Sequence, residues 1–236
     1  MNEKTTKRIK KMMNQTIGVE VEMNNITRTK AAQLAAEFFG TGRHEHTAGR
    51  NGYDTYSAWY GEGREWKFQK DVSIHGPDSE KCEMVTPILT YADMETLQEL
   101  IRRLRKAGAK SDATRGCGVH IHIGAKGHTA QTLRNLANIM ASHESLLASA
   151  LNLDRNRMNR YCRTVSKDFL VELNRKKPKT MAALADTWYG SQNADYGRSA
   201  HYNESRSVLR EAHNAHIAEP PRNIYKGHNR VSAFSV

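Results

Sequence analysis

Two short stretches in which polar and apolar residues strictly alternate constrain the fold of this chain more than any other feature. The first runs from Ile17 to Met23, and the second runs from Cys117 to Gly124. Successive side chains of a β-strand point to opposite faces of the sheet. Each stretch is therefore predicted to form a strand with one apolar face, turned toward a core, and one polar face.

The polar faces of these two strands carry two carboxylates, Glu20 and Glu22, and two imidazoles, His120 and His122. Strands commonly turn polar residues toward solvent, so a pair of carboxylates two residues apart is also typical of an ordinary exposed face. Two histidines placed in this way are rarer, and neutral imidazole binds transition metals and zinc well. The combination of both pairs predicts one polar surface that binds metal.

Acidic residues near two further predicted strands add to this surface. Residues 57–70 are predicted to form a hairpin around a glycine turn at residues 61–63, and Asp71 stands at the end of its second arm. Residues 81–86 are predicted to form another strand, in which Glu83 lies opposite the apolar face. Carboxylates on a sheet can hold magnesium or manganese, which neutralise and position phosphates. The aromatic residues predicted to form the buried face of the hairpin are Trp59, Trp66 and Phe68.

Apolar residues at helical spacing, with capping residues at the ends, predict helices between and after the strands. One helix follows Thr27 and stops at Gly40, and another, with a capping box at Thr90 and Asp93, ends at Gly108. Further helices are predicted from about Thr129 onward, at residues 166–174 and at residues 180–189. Strands and helices together predict an α+β fold with a mainly antiparallel sheet.

The chain is long enough for one sizeable core, and a single folded domain is predicted at residues 17–206. A basic leader at residues 1–16 is predicted to be flexible, and residues 207–236 are predicted to form a divergent, loosely packed or disordered tail. No apolar run approaches the roughly 20 residues that span a bilayer, and the leader lacks the apolar region of a secretory signal. Three widely spaced cysteines favour a reducing compartment, so the predicted location is the cytoplasm.

The formal net charge of +11 indicates an affinity for anions. One partner with this property is nucleic acid, but the lysines and arginines are spread along the chain without an RNA-binding aromatic signature, so that partner is disfavoured. The alternative interpretation of the positive charge is that it attracts anionic substrates such as nucleotide phosphates. The sequence carries no signal for an oligomeric state.

Three other kinds of site are disfavoured. Cys117 and His120 are three residues apart and face opposite ways on a strand, which a nucleophilic dyad cannot use. His44 and His46 lie in a polar loop predicted at residues 41–56, where such a pair is usually solvated. The chain contains no glycine-rich phosphate-binding loop of the Walker type, so nucleotide binding would have to depend on metal.

The sequence resembles the amidoligase family of the carboxylate-amine ligase superfamily, which also contains glutamine synthetase and γ-glutamylcysteine synthetase. No single motif is decisive, but four motifs follow one another in the family's order on the strands predicted above. Two later segments continue the resemblance. The matching stretches are Ile17–Glu22, Glu65–Ser73, Cys82–Pro87, Cys117–Gly124, Arg160–Cys162 and His201–Arg206.

The resemblance implies a mainly antiparallel sheet, curved like the half barrel of glutamine synthetase, with flanking helices. Its concave face would hold divalent ions and ATP. A substrate carboxylate would attack the γ-phosphate, and an amine would then displace phosphate from the acyl phosphate to leave an amide. Phosphoryl transfer needs mainly positioning and charge neutralisation, which ions on a rigid sheet supply.

The resemblance also implies roles for individual polar residues of the predicted surface. His120 resembles the metal-binding histidine of the superfamily, and His122 resembles a residue near the nucleotide phosphates. Asp71 ends a family motif, and Asp71 and Glu83 are the candidate catalytic residues. The carboxylates that resemble the family's metal ligands are Glu20, Glu22 and Glu83.

The chain departs from the family pattern after Arg206. Family members continue with an apolar strand and then with a strand of the Thr-Ile-Glu-Phe-Arg type, which would supply another metal carboxylate and a phosphate-binding arginine. Residues 207–236 match neither strand. We therefore expect a truncated or frame-shifted form whose sheet is incomplete at the C-terminus, which would impair its activity.

The resemblance, together with the predicted polar face, implies a ligase that depends on ATP and on Mg²⁺ or Mn²⁺ and that joins a small-molecule or peptide carboxylate to an amine. Two alternatives from other classes stay open at this point. One is a metal-dependent hydrolase that uses the same glutamate and histidine face. The other is a basic module that binds nucleic acid or protein.

Overall fold

The structure is a computed structural model that describes residues 2–47, 53–61, 63–125, 127–160 and 164–189. The described residues up to Ile123 form one unit, and those from Gly124 onward form a second. The described residues do not include the predicted tail at residues 207–236, where the family's last strands were expected to be absent. They also do not include the family-like segment His201–Arg206.

The first unit is built on a six-stranded, open, antiparallel sheet. Its strands lie in the order β2-β3-β4-β5-β1-β6, so β1 is paired on both sides, with β5 and with β6. The predicted combination of helices with a mainly antiparallel sheet is therefore confirmed. The strands are β1 (Ile17–Met23), β2 (His44–His46), β3 (Tyr56–Tyr60), β4 (Arg64–Gln69), β5 (Cys82–Val85) and β6 (Val119–Ile123).

Seven α-helices accompany the strands in the part of the chain that the structure describes. Thr27 caps α2 through its side chain, and the capping box predicted at Thr90 and Asp93 is present before α3. Thr129 and Ser166 likewise cap α4 and α6, as the sequence predicts. The helices are α1 (Glu3–Met13), α2 (Arg28–Phe38), α3 (Met94–Lys106), α4 (Ala130–Ala150), α5 (Arg155–Arg160), α6 (Lys167–Lys176) and α7 (Met181–Tyr189).

The core of the first unit lies between one face of the sheet and helices α2 and α3. Helix α2 packs against β3 and β4 through small side chains, which allow a helix to approach a sheet closely. Helix α3 contributes a leucine stripe at helical spacing. The buried residues include Val19, Val21 and Met23 of β1, Ala31, Ala32, Ala35 and Ala36 of α2, Trp66 and Phe68 of β4, and Leu97, Leu100 and Leu104 of α3.

The hairpin of β3 and β4 corrects one prediction. Ala58 pairs with Trp66, and Trp59 pairs with Glu65, so Trp59 lies on the face opposite the core. The guanidinium of Arg43 covers its indole ring at 4.0 Å from the ring centroid. The prediction that Trp59 shares the buried face was wrong because the three-residue turn places Ala58, and not Trp59, across from Trp66.

Strand β6 lies at an edge of the sheet, and its apolar face is only partly covered. Ile121 is 37% exposed and Ile123 is 50% exposed, whereas Val119 packs against the core. The alternation predicted from the sequence is present, but burial falls toward the C-terminal end of the strand. The reason is position, because an edge strand has a neighbouring strand on one side only within the six-stranded sheet.

Two segments that were expected to be irregular contain regular structure. The basic leader contains helix α1, whose residues are all exposed; Asn2 caps it, and basic side chains occupy its last turn, which favours a helix. The predicted loop at residues 41–56 contains strand β2, which pairs with β3. A three-residue strand has too little alternation to be recognised from sequence.

The second unit packs α4 against α6 and α7. Ala130 and Ala137 of α4 are buried with Leu173 and Leu184. The carboxylate of Glu144 accepts the backbone N–H of Val165, which precedes α6. Among the described helices of either unit, none combines the length and the apolar character needed to cross a bilayer.

Candidate metal and catalytic site

The strand register of β1 brings the predicted site residues together on the face of the sheet that points away from the core helices. Glu20 lies directly opposite His120 in β6, and Glu22 lies directly opposite Glu83 in β5. Directly opposed residues of antiparallel strands share a face. His122 lies on the same face, opposite Gly18. The site therefore follows from the alternation of three adjacent strands.

The first group of potential ligands consists of Glu20, Glu83 and His120. Each offers one ligand atom, and these three atoms lie within 4.8 Å of one another. Glu20 is in contact with both imidazoles, because its Oε2 lies 3.0 Å from His120 Nδ1 and its Oε1 lies 3.2 Å from His122 Nε2. His122 is thus a neighbour of the first group without being a member of it.

The second group consists of Glu22, Asp71 and Glu83, whose ligand atoms also lie within 4.8 Å of one another. Asp71 comes from the loop after β4, and its Oδ1 accepts the backbone N–H of Ser73 at 2.6 Å. The hydroxyl of Ser73 lies 3.5 Å from Glu22 Oε1. The side chain of Glu22 is only 4% exposed, so this group lies deep in the polar face.

Glu83 belongs to both groups. Glu83 is 5% exposed, and the side-chain amide of Gln69 donates a hydrogen bond of 2.7 Å to Glu83 Oε2. Burial raises the pKa of Glu83, the negative charges of Glu20 and Asp71 raise it further, and the pKa reaches about 8 despite the bond from Gln69. A metal-free site therefore holds Glu83 mostly protonated at neutral pH.

The pKa of Glu20 is shifted in the opposite direction to that of Glu83. Burial opposes its ionisation and by itself raises its pKa. Hydrogen bonds and positive charge from His120 and His122 outweigh that effect, and they hold the pKa of Glu20 well below its ordinary value. Two carboxylates on one face thus have pKa values moved apart by their different neighbours.

The donor set suits a hard divalent cation. Four of the five members of the two groups are carboxylates, and oxygen ligands favour Mg²⁺ and Mn²⁺, while a single imidazole is compatible with either. A cation would also offset the repulsion that raises the pKa of Glu83. Neither group contains a cysteine among the described residues; Cys82 and Cys117 are buried, and burial raises the pKa of Cys82 to about 12.

Sequence analysis did not find two residues of this site, Gln69 and Ser73. Gln69 lies opposite Glu83 in the register of β4 and β5, and the alternation of β4 was a usable signal for it. Ser73 lies in a loop, where no period applies. The pair His44 and His46 lies away from both groups, on β2 at the other edge of the sheet, where His46 Nε2 contacts Asp54 Oδ1 at 2.7 Å.

The remainder of the same face, on β3 and β4, contains a carboxylate of a different kind. Glu65 Oε1 accepts the hydroxyl of Ser57 at 2.8 Å, and Glu65 Oε2 lies 3.3 Å from the ammonium of Lys67. The Ser57 hydroxyl also contacts Thr47 Oγ1 at 2.8 Å. This carboxylate is balanced by a cation on its own strand.

Comparison with known proteins identifies a matching family. A family model described as "putative amidoligase enzyme" matches residues 13–218, a range that contains both ligand groups. No curated protein and no solved structure matches the chain.

Proposed function

Because the chain belongs to the putative amidoligase family, we propose that it is a carboxylate-amine ligase that depends on ATP and on Mg²⁺ or Mn²⁺. Amide-bond formation is the activity that the family's description implies. Small molecules or peptides that carry a carboxylate and an amine are the proposed substrates. The proposal includes a cytoplasmic location and the half-barrel curvature of the sheet.

The observation that carries this proposal is the pair of ligand groups joined at Glu83. Two sets of three ligand atoms, each set within 4.8 Å, share one buried carboxylate on one sheet face. Such an arrangement suits two neighbouring cations. An isolated exposed acidic patch would lack both the burial of Glu22 and Glu83 and the imidazole at the edge of the set.

The proposed reaction has two steps. A carboxylate oxygen of the first substrate attacks the γ-phosphorus of ATP, the bond from that phosphorus to the bridging oxygen of ADP breaks, and an acyl phosphate forms. The amine nitrogen then attacks the acyl carbon, the bond to the phosphate oxygen breaks, and the amine loses a proton. The products are an amide, ADP, inorganic phosphate and that proton.

We assign the ligand groups to the cations of this reaction. Glu20, Glu83 and His120 would hold one ion, and Glu22, Asp71 and Glu83 would hold the other. When bound, such ions neutralise the negative charge of the nucleotide phosphates as the phosphoryl group is transferred. The sheet contributes rigidity, because four of these five ligands are on strands and keep their separations fixed.

Three residues have further proposed roles in nucleotide binding or catalysis. His122, 3.2 Å from Glu20 and outside both groups, is proposed to contact the nucleotide phosphates with its imidazole. Asp71 is half-buried and comes from a loop, and it is a candidate catalytic residue through its place in the second ligand group. Glu83 is the second candidate catalytic residue, because it joins both groups.

The test is release of phosphate from ATP in the presence of Mg²⁺ and pooled carboxylates and amines. We expect release only when both substrate classes are present, and we expect Glu20→Gln to lower its rate. Glu65→Gln is the matched control, because Glu65 is on the same face but is balanced by Lys67. Ester or phosphodiester cleavage without ATP would instead select the hydrolase, and salt-sensitive binding of nucleic acid would select a binding module.

A further inference from the structure

Asp71 is positioned differently from the other proposed ligands. Glu20, Glu22, Glu83 and His120 lie on strands, whereas Asp71 lies on the loop between β4 and the 3-10 helix Asp78–Glu80. A loop carboxylate needs support from outside its own segment to stay within ligand distance of a strand. That support is available from the turn that precedes β6.

We propose that Gly116 is a positioning residue for the metal site, which seats the Asp71 loop by letting the turn at residues 112–117 lie directly against Ser73. This inference rests on the proposed function, because it concerns the same ligand group. In this scheme Gly116 affects the ligand group indirectly. It acts through Ser73, which holds Asp71 and contacts Glu22.

The loop and the turn are joined by reciprocal hydrogen bonds. The backbone N–H of His75 donates to the carbonyl oxygen of Arg115 at 2.7 Å, and the Arg115 Nε–H donates to the carbonyl oxygen of His75 at 3.2 Å. Ile74, between the loop residues that make these contacts, is fully buried. The two segments therefore form one packed unit beside the second ligand group.

Gly116 lies at the closest approach of the two segments. It ends the 3-10 helix Ala113–Arg115 with a φ of 83°, in the left-handed region where glycine is favoured. A β-carbon at this position would overlap the carbonyl oxygen of Ser73, a backbone atom that cannot rotate away. Any side chain here therefore requires the loop to move away from the turn.

The consequence of such a movement falls on Asp71. The backbone N–H of Ser73 fixes one Asp71 oxygen at 2.6 Å, so a displaced Ser73 either carries that carboxylate with it or loses the bond. The Ser73 hydroxyl, 3.5 Å from Glu22, would move as well. The strand ligands would stay in place, because the register of β1, β5 and β6 does not depend on this contact.

The experiment measures Mn²⁺ affinity of the full chain by calorimetry and by electron paramagnetic resonance for Gly116→Ala and two control variants. Gly63→Ala and Gly127→Ala impose the same left-handed backbone, with φ of 86° and 84°, but their β-carbons meet no atom within 4 Å. We expect Gly116→Ala to weaken Mn²⁺ binding by about 10- to 100-fold, the usual effect of losing an outer support of a ligand. The two controls are expected to bind Mn²⁺ like the unmodified protein.

A second variant covers the case in which Gly116→Ala does not fold. Arg115→Met removes the guanidinium bond to His75 without adding a steric overlap, and we expect a smaller loss of Mn²⁺ affinity in the same direction. Equal Mn²⁺ affinity in the unmodified protein and in both of these variants, at matched thermal stability, would overturn the proposal.

Hydrogen exchange separates this inference from the proposed function. Faster exchange of the amides of Ser73 and His75 in Gly116→Ala, but not in Gly63→Ala, is the expected result for a displaced loop. Absence of Mn²⁺ binding in the unmodified protein would refute the proposed function, while the exchange data would still report whether Gly116 seats the loop. Unchanged exchange in Gly116→Ala would refute the positioning role.

Discussion

The polar face of the sheet has two halves that differ in how their carboxylates are neutralised. On β3 and β4, Glu65 has a lysine at 3.3 Å and a serine hydroxyl at 2.8 Å. On β1, β5 and β6 and the loop after β4, four carboxylates lie near two imidazoles, the amide of Gln69 and the hydroxyl of Ser73. The first half is balanced by its own side chains. In the second half carboxylates outnumber cations, which is the charge distribution expected if the proposed cation binds there.

The largest expected effect comes from replacing the carboxylate that both groups share. Glu83→Gln keeps the size of the side chain but removes its charge, so both proposed ion sites lose a ligand. We expect Mn²⁺ affinity to fall by more than the roughly 10- to 100-fold that loss of an outer support costs. Calorimetric titration measures it, with Glu65→Gln as the matched variant of the balanced half. Equal losses in the two variants would contradict the distinction between the halves.

The second prediction concerns the stability of the metal-free protein as a function of pH. The pKa of Glu83 is raised from 4.5 to about 8, so between these values the folded protein holds a proton that the unfolded chain has lost. Its stability should therefore fall as pH rises through this window, by an amount on the order of a few kcal/mol. Above about pH 8 the contribution of this group no longer changes.

Urea unfolding in a chelator between about pH 5 and pH 9 measures this dependence. Glu20 has a lowered pKa, and its contribution is lost only at lower pH, so Glu20 does not add to the slope in this window. Glu83→Gln is expected to flatten the curve. A slope that persists in Glu83→Gln would assign the pH dependence to other groups.

A smaller effect is expected from Glu20→Gln, because Glu20 belongs to one ligand group and Glu83 to both. Removal of its charge should weaken binding of Mg-ATP by about tenfold, equal to about 1.4 kcal/mol. Calorimetry with Mg-ATP provides the measurement. An unchanged affinity would remove Glu20 from the proposed site.

The smallest effect is expected on the balanced half. Lys67→Met removes the cation beside Glu65, and because both side chains are partly exposed, the unfolding free energy should fall by about 1 kcal/mol or less. Mn²⁺ affinity should not change. A large loss of Mn²⁺ affinity in Lys67→Met would mean that the two halves form one electrostatic unit.

The sequence identified the polar face because alternation in strands is a strong and local signal. It placed Glu20, Glu22, His120 and His122 on polar strand faces, and the structure brings them onto one sheet face. It did not provide the register, which decides that Glu20 lies opposite His120 and that Glu22 lies opposite Glu83. Register depends on contacts between distant segments, and no local pattern of residues encodes it.

The errors have the same origin. Trp59 and Trp66 are both aromatic, so composition alone could not tell which of them faces the core, and the turn geometry of the hairpin decided it. Ser73 is part of the site through a hydrogen bond within a loop, where alternation has no meaning. Predictions from sequence were thus accurate for residues on long strands and poor for residues whose position depends on a turn.

The sharing of Glu83 between the two groups has a consequence for the order in which ligands arrive. A cation that enters either group must displace the proton of Glu83. After the first cation has bound, Glu83 is already ionised, so a second cation binds without displacing that proton. Under the proposed assignment the two occupancies are thermodynamically coupled, and occupancy of the first group must change the affinity of the second by the same factor as occupancy of the second changes the affinity of the first. Titration of the protein with a cation should therefore be fitted by a model in which the two groups interact, and a model of two independent sites should not fit.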